Sequence, residues 1–99
     1  MLSERRREYL LSLIEAHLKL LVKRNRVSER YIPEYRRELW RMTLALDAAG
    51  LQTSPMKIGE EEIMFIIKEF AGHCKGKTQK WYVTILNGYL KTHGNHVVS

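Results

Sequence analysis

The sequence predicts an all-α protein with four helices in a single domain. Apolar residues recur at intervals of three and four positions in four stretches, and no stretch alternates like a half-buried strand. The 99 residues are enough for one hydrophobic core but too few for two. We therefore expect one domain that spans residues 1–99, without internal repeats or low-complexity segments.

The first helix is expected to begin after Ser3, whose hydroxyl can accept a hydrogen bond from a free N–H of the first turn. It should end near Lys23 and Arg24, because cations favour a helix C-terminus and Asn25 can adopt the left-handed conformation that often follows one. The inner stripe of this helix consists of Leu10, Ile14, His17 and Leu21.

The second helical pattern runs from Ser28 to Gly50. Pro33 lies inside this pattern and lacks an N–H, so it either kinks the helix or marks its true start. The inner stripe consists of Tyr35, Leu39, Met42 and Leu46.

A connector, "LQTSPMKIG", leads to a short third helix. Gly59 precedes Glu60, Glu61 and Glu62, and the positive end of a helix dipole favours carboxylates at this place. Gly72 is expected to end the helix. The residues between them are apolar nearly all round, so we expect the helix to be well buried through Ile63, Phe65, Ile66, Ile67 and Phe70.

The fourth stretch, "KGKTQKWYVTILNGYLKTHG" at 75–94, contains four lysines and no acidic residue. Its apolar face consists of Tyr82, Ile85, Leu86, Tyr89 and Leu90. A separate polar stripe consists of Lys77, Lys80, Thr84, Asn87 and Lys91, with Lys75 just before the helix. Lysine is unfavourable near a helix N-terminus, whose free N–H groups bind anions, so its repetition there indicates an external anion. The alternative is an ordinary solvated lysine face.

The second helix carries a basic face of its own. Arg30, Glu34, Arg37 and Arg41 recur at helical spacing along it. If the second and fourth helices pack side by side, two basic faces flank one groove. Such cations supply affinity through phosphate contacts, whereas contacts to base edges supply sequence choice.

The overall composition fits an intracellular protein that binds a polyanion. The net charge is +6, which favours partners such as nucleic acid. Cys74 is the only cysteine, so an intrachain disulfide is impossible and a reducing compartment is expected. No apolar run is long enough to span a membrane. We expect a soluble, cytoplasmic protein.

A metal site and a catalytic site are both poorly supported. Zinc could use His73, Cys74, His93 and His96, but an adjacent His-Cys pair is poor ligand spacing for a finger. The tyrosines and acidic residues form no recognisable catalytic constellation. We therefore predict no cofactor, no metal ligand and no catalytic residue.

Three segments together resemble the core-binding domain of the tyrosine recombinases, the phage integrase family. They are "VSERYIPEYRRELWRM", "MKIGEEEIMFIIKEF" and "KTQKWYVTILNGYL", and the likeness covers about residues 8–94. The positions that follow the family pattern are Ser28, Tyr31, Tyr35, Leu39, Met42, Ile58, Gly59, Glu62, Ile63, Thr78, Tyr82, Ile85, Leu86 and Tyr89. Tyr31 stands where the family usually has threonine, and Gly59 where it has a capping serine or threonine.

This resemblance implies a compact, orthogonal four-helix bundle of the SAM-like type that forms half of a clamp around duplex DNA. The implied DNA contacts are Arg30, Tyr31, Lys77, Thr78 and Lys80, with Arg37, Arg41 and Thr84 as secondary ones and Lys75 beside them. In the family the nucleophilic tyrosine belongs to a separate catalytic domain, expected outside this chain. The chain would then be non-catalytic and monomeric in isolation, and the parent recombinase would assemble as a tetramer on DNA.

Three other functions remain open from the sequence. One is a membrane-surface role for the first helix, although Glu15 and His17 dilute its basic face. A helical protein-interaction adaptor would show an exposed apolar groove, for example beside Trp40 and Trp81, which lie at the margins of their stripes. A helix-turn-helix regulator is less well supported, because "HCKGKTQKWY" lacks a typical tight turn before a recognition helix.

Overall fold

A computed structural model describes residues 2–72 and 76–97 of the chain. Its helices are α1 (Glu4–Lys23), α2 (Ile32–Ala48), α3 (Glu60–Ile66) and α4 (Gly76–Thr92). A 3₁₀ turn, Glu29–Tyr31, precedes α2, and α3 continues into a π-helical segment, Ile67–Ala71, which we call the π segment. The described residues contain no strand, so the all-α prediction with four helices is confirmed.

Both ends of α1 have the predicted caps. The Ser3 hydroxyl accepts a hydrogen bond from the Arg6 N–H at 3.2 Å. Asn25 has a φ of 54°, and its N–H donates to the Val22 carbonyl, while the Arg26 N–H donates to the Leu21 carbonyl. This pair of bonds is a Schellman motif, which satisfies carbonyls that the helix end would leave free.

Pro33 marks the start of α2 and does not kink it. The chain leaves Ser28, whose side chain makes no cap bond, passes through the 3₁₀ turn and becomes α-helical at Ile32. Pro33 thus lies in the first turn, where an N–H would have no helical partner in any case. The predicted end is confirmed: Gly50 has a φ of 71°, and the N–H of Leu51 closes a second Schellman motif on the Leu46 carbonyl.

The predicted burial of α3 was too extensive. Ile66 is buried, but Ile63, Phe65, Ile67 and Phe70 are only half-buried, and Met64 is 65% exposed. The helix packs mainly against α2 and the π segment that follows it, so part of its wide apolar surface stays uncovered. At its start the Glu62 carboxylate accepts a hydrogen bond from the Gly59 N–H at 2.8 Å.

The predicted stripes of α1, α2 and α4 meet in one core. Its fully buried apolar members are Leu10, Ile14, Leu18, Leu39, Met42, Leu46, Ile58, Ile66, Ile85, Leu86, Tyr89 and Leu90. His17 is buried among them, and its Nδ1 lies 2.7 Å from the Thr92 hydroxyl, which ties α1 to the end of α4. The Cα radius of gyration is 12.8 Å, close to the value of about 13 Å expected for a compact domain of 100 residues.

Helices α1, α2 and α4 are amphipathic, with buried apolar residues on one face and exposed polar residues on the other. The longest of them, α1, carries Glu15 and Lys19 in its middle turns. None of the described helices is both long and apolar enough to cross a membrane.

Candidate nucleic-acid interface

Aromatic side chains join the first half of α2 to the first half of α4. The rings of Tyr35 and Trp81 meet edge to face with centroids 5.8 Å apart. Trp81 packs in turn on Tyr82 at 5.1 Å, and Tyr82 lies 6.0 Å from Phe70 of the π segment. Edge-to-face pairs of this kind stabilise beyond the area that they bury. The cluster therefore fixes the two helix starts, and the π segment, relative to one another.

A buried carboxylate holds two arginines of α2 at the surface. The Glu38 side chain is only 5% exposed, and the Arg41 Nη1 donates to its two oxygens at 3.0 and 3.1 Å. Arg37 Nε makes a longer contact of 3.4 Å with the same carboxylate. The Arg37 and Arg41 side chains remain 65% and 55% exposed. One carboxylate cannot neutralise two guanidinium groups, so the cluster keeps a net positive charge that faces solvent.

Glu38 is the residue of this site that sequence reasoning missed. A glutamate among arginines reads as an ordinary surface charge. A signal was present, because position 38 lies three residues after Tyr35 and four before Met42, at the edge of the inner stripe. The carboxylate competes with any phosphate for the N–H groups of Arg37 and Arg41.

The predicted contacts at the start of α2 lie on the surface. Arg30 and Tyr31 are both exposed, and the Arg30 guanidinium lies 5.3 Å from the centre of the Tyr31 ring. This cation–π contact leaves the N–H groups of the guanidinium accessible.

The predicted contacts on α4 are described only in part. Thr78, Lys80 and Thr84 are exposed. Lys80 and Thr84 also line a shallow cavity of about 360 Å³ whose floor includes Ile67 of the π segment. Lys75 lies outside the described residues, and so does the side chain of Lys77, although its backbone belongs to α4.

The π segment lies between two sets of predicted contacts, which we call the α2 group (Arg30, Tyr31, Arg37 and Arg41) and the α4 group (Thr78, Lys80 and Thr84). The sequence did not predict this position of the π segment. The Arg41 guanidinium covers the Phe70 ring at 5.5 Å, and Ile67 lies beside Lys80 and Thr84. Within the described part of the chain, no hydrogen bond or ion pair joins Arg30 or Arg37 to the α4 group. The two basic faces are thus linked through the π segment and the aromatic cluster.

The polar stripe of α4 is not uniformly polar in space. Asn87 is half-buried, and its Oδ1 is enclosed without a hydrogen-bond partner in the described part of the structure. Lys91, one turn further on, is exposed. The continuous exposed part of the stripe therefore ends near Thr84.

The four residues considered as zinc ligands are not seen together in the described part of the chain. His93 Nε2 lies 2.8 Å from the Leu13 carbonyl oxygen, and His73 and Cys74 lie outside the described residues. No group of three or more His, Cys, Asp or Glu side chains suited to a metal ion occurs within residues 2–72 and 76–97.

Comparison with known proteins provides no relative. No family model, curated protein or solved structure matches the chain.

Proposed function

We propose that this chain binds double-stranded DNA as the SAM-like core-binding domain of a tyrosine recombinase. The observation that carries the proposal is the cluster of Arg37 and Arg41 on one buried carboxylate. These guanidinium groups project from the surface beside aromatic residues that fix the start of α4. The all-α bundle of four helices and the net charge of +6 are both consistent with a DNA-binding domain of this type.

The two arginines have donors to spare for phosphate. Each guanidinium has five N–H groups, and Glu38 occupies only one nitrogen of Arg37 and one of Arg41. The free N–H groups are suited to bidentate contacts with phosphate oxygens. Glu38 limits the motion of both side chains, which lowers the entropy lost when they bind.

The α4 group supplies a second line of contacts. Lys80 provides a mobile positive charge, and the hydroxyls of Thr78 and Thr84 can donate to phosphate oxygens. These residues and Arg41 of α2 lie on either side of the π segment, since Arg41 covers Phe70 and Lys80 and Thr84 lie beside Ile67. Arg30 and Tyr31 add exposed contacts at the start of α2. In this proposal the site contacts the phosphate backbone of the DNA. DNA cleavage belongs to a separate catalytic domain of the parent recombinase.

Chemical-shift mapping with duplex DNA tests the proposal. At low salt, the largest amide shifts are expected in residues 29–41 and 76–84, because both basic groups lie there. Residues of α3 serve as the internal control and should move little. Shifts that were absent, or spread evenly over the chain, would contradict the proposal.

A protein-interaction adaptor is the second candidate. The apolar patch expected beside Trp40 and Trp81 is not exposed, since both rings are half-buried and Trp40 lies under the Arg7 guanidinium at 5.7 Å. The observation in favour of an adaptor is instead Met64, which is 65% exposed and borders two shallow apolar cavities. The Met64→Ser substitution should leave DNA binding unchanged if α2 and α4 form the interface.

A further inference from the structure

A second basic surface lies at the opposite end of α4. A cavity of about 410 Å³ separates the C-terminal ends of α1 and α4. Arg24, Arg26 and Lys91 line it, and none of its eight described lining residues is acidic. None of these cations belongs to the proposed DNA interface.

The cations of this cavity are not neutralised within the described part of the chain. Arg24, Arg26 and Lys91 are exposed and make no ion pair there. Cations are common at helix C-termini, where each helix end carries about half a negative charge. Two such ends amount to about one negative charge, which three full positive charges exceed.

Several carbonyls at both helix ends are also occupied. Schellman bonds from Asn25 and Arg26 close α1, and equivalent bonds from Gly94 and Asn95 close α4. These carbonyl groups are therefore poor competitors for the neighbouring cations, and an anion in the cavity would meet positive side chains.

His17 adds a buried polar group to the wall of the cavity. The Thr92 hydroxyl donates to the Gly88 carbonyl at 3.0 Å, so it accepts a hydrogen bond from Nδ1 of His17. The other ring nitrogen, Nε2, then carries a lone pair, and it has no hydrogen-bond partner among residues 2–72 and 76–97. Gly88 leaves space beside it, since a Cβ there would lie 3.7 Å from Nε2.

We propose that this cavity binds a phosphate group that carries a proton, either inorganic phosphate or a phosphate monoester. Arg24, Arg26 and Lys91 bind the anionic oxygens, and the P–OH group donates to Nε2 of His17. Burial lowers the pKa of His17 to about 4, so the ring is neutral and Nε2 accepts near neutral pH. A phosphodiester of the DNA backbone has no such proton, which separates this site from the proposed DNA interface.

NMR titrations with inorganic phosphate and with sulfate, at constant ionic strength, test whether the bound anion must carry a proton. At about pH 6, near the second pKa of a phosphate monoester, phosphate still carries a proton and sulfate carries none. We expect phosphate to shift the signals of the His17 ring and the Gly88 amide at millimolar concentration, and sulfate to have little effect. Equal responses to both anions, or no response to phosphate at tens of millimolar, would overturn the proposal.

Charge-matched variants test the role of the cations. The double substitution Arg24→Gln/Arg26→Gln should weaken phosphate binding at least about tenfold, since it removes two charged hydrogen-bond donors to the anion. The double substitution Arg5→Gln/Lys23→Gln removes the same charge outside the cavity and should leave binding unchanged. Equal weakening by both pairs would refute the site.

The source of the phosphate is tested with DNA. A duplex with 5′-phosphate ends should shift His17 and Gly88 only if the site takes a nucleic-acid terminus, whereas a response to inorganic phosphate alone identifies a free ligand. A shift of these residues by a duplex with 5′-hydroxyl ends would indicate a diester and contradict the proposal. Failure of DNA binding at α2 and α4 would not affect the phosphate titration.

Discussion

His17 and Glu38 are among the polar side chains that the bundle buries, and it accommodates them in different ways. His17 stays neutral and forms a hydrogen bond with Thr92. Glu38 contacts the positive charges of Arg37 and Arg41. The difference follows from what can neutralise each group: the polar groups around His17 are the Thr92 hydroxyl and the cations of the cavity, none of which would stabilise a charged ring, whereas Glu38 lies one turn from an arginine that can reach it.

The burial of His17 predicts a loss of stability in mild acid. Its pKa falls from 6.5 to about 4 because burial disfavours the charged ring, and the charge of His93 acts in the same direction. Between these two values the unfolded chain binds a proton that the folded chain does not. The free energy of unfolding should therefore fall as the pH is lowered from 6.5, by up to about 3 kcal/mol at pH 4.

Urea unfolding across this pH range measures the effect. The His17→Gln variant should lack this part of the pH dependence, and the variant of exposed His96, His96→Gln, should retain it. If His17→Gln does not fold, an NMR titration of the wild-type ring provides the same information. A His17 resonance that titrates above pH 6 would contradict the prediction.

At the scale of the helices, two glycines at element ends serve different purposes. Gly50 has a positive φ of 71°, but the space that a Cβ would occupy there is open. Gly72 has an ordinary φ, yet a Cβ there would lie 2.5 Å from the Lys68 carbonyl oxygen. The first position thus requires a glycine for its backbone conformation, and the second for space after the π segment.

Alanine substitutions should separate these two causes. Gly50→Ala should cost about 1 kcal/mol, which is the usual penalty for a left-handed residue with a Cβ. Gly72→Ala should cost more than Gly50→Ala, because the contact is with backbone and the π segment must move to relieve it. Chemical denaturation of both variants tests this order, and a smaller loss for Gly72→Ala would show that the π segment adapts easily.

The sequence predicts the long helices well because their apolar residues fall on one face of each helix. The stripes of α1, α2 and α4 identify the core, and Ser3, Asn25 and Gly50 mark helix ends by their chemistry. The apolar residues of α3 surround the helix almost completely, so their pattern does not indicate which side is buried. The sequence likewise gives no sign of the π segment, which packs against α4.

At the scale of the whole molecule, the positive charge has several locations. The basic residues at the starts of α2 and α4 could be predicted from spacing alone. Their relation to each other could not, because it depends on the π segment and on packing between distant rings such as Tyr35 and Trp81. Pairing of Arg41 with buried Glu38 is likewise a property of the folded bundle.

The salt dependence of DNA binding can distinguish a specific basic face from net charge alone. If about five phosphates are contacted, the plot of log affinity against log salt should have a slope of about −4 to −5. The double substitution Arg37→Gln/Lys80→Gln should make that slope shallower by about 2, since each lost phosphate contact removes close to one. Arg41 is left in place, because its removal would leave the buried Glu38 without its closest partner.

The charge-matched control is Arg5→Gln/Lys23→Gln, which removes two exposed cations of α1. Both double variants have the same net charge, so a purely non-specific attraction to DNA would weaken equally in the two. Binding through α2 and α4 predicts a change in slope for the first variant alone, because counterions are released only where phosphates are neutralised. Equal slopes for the two variants would therefore reject the proposed interface even if the protein still bound DNA.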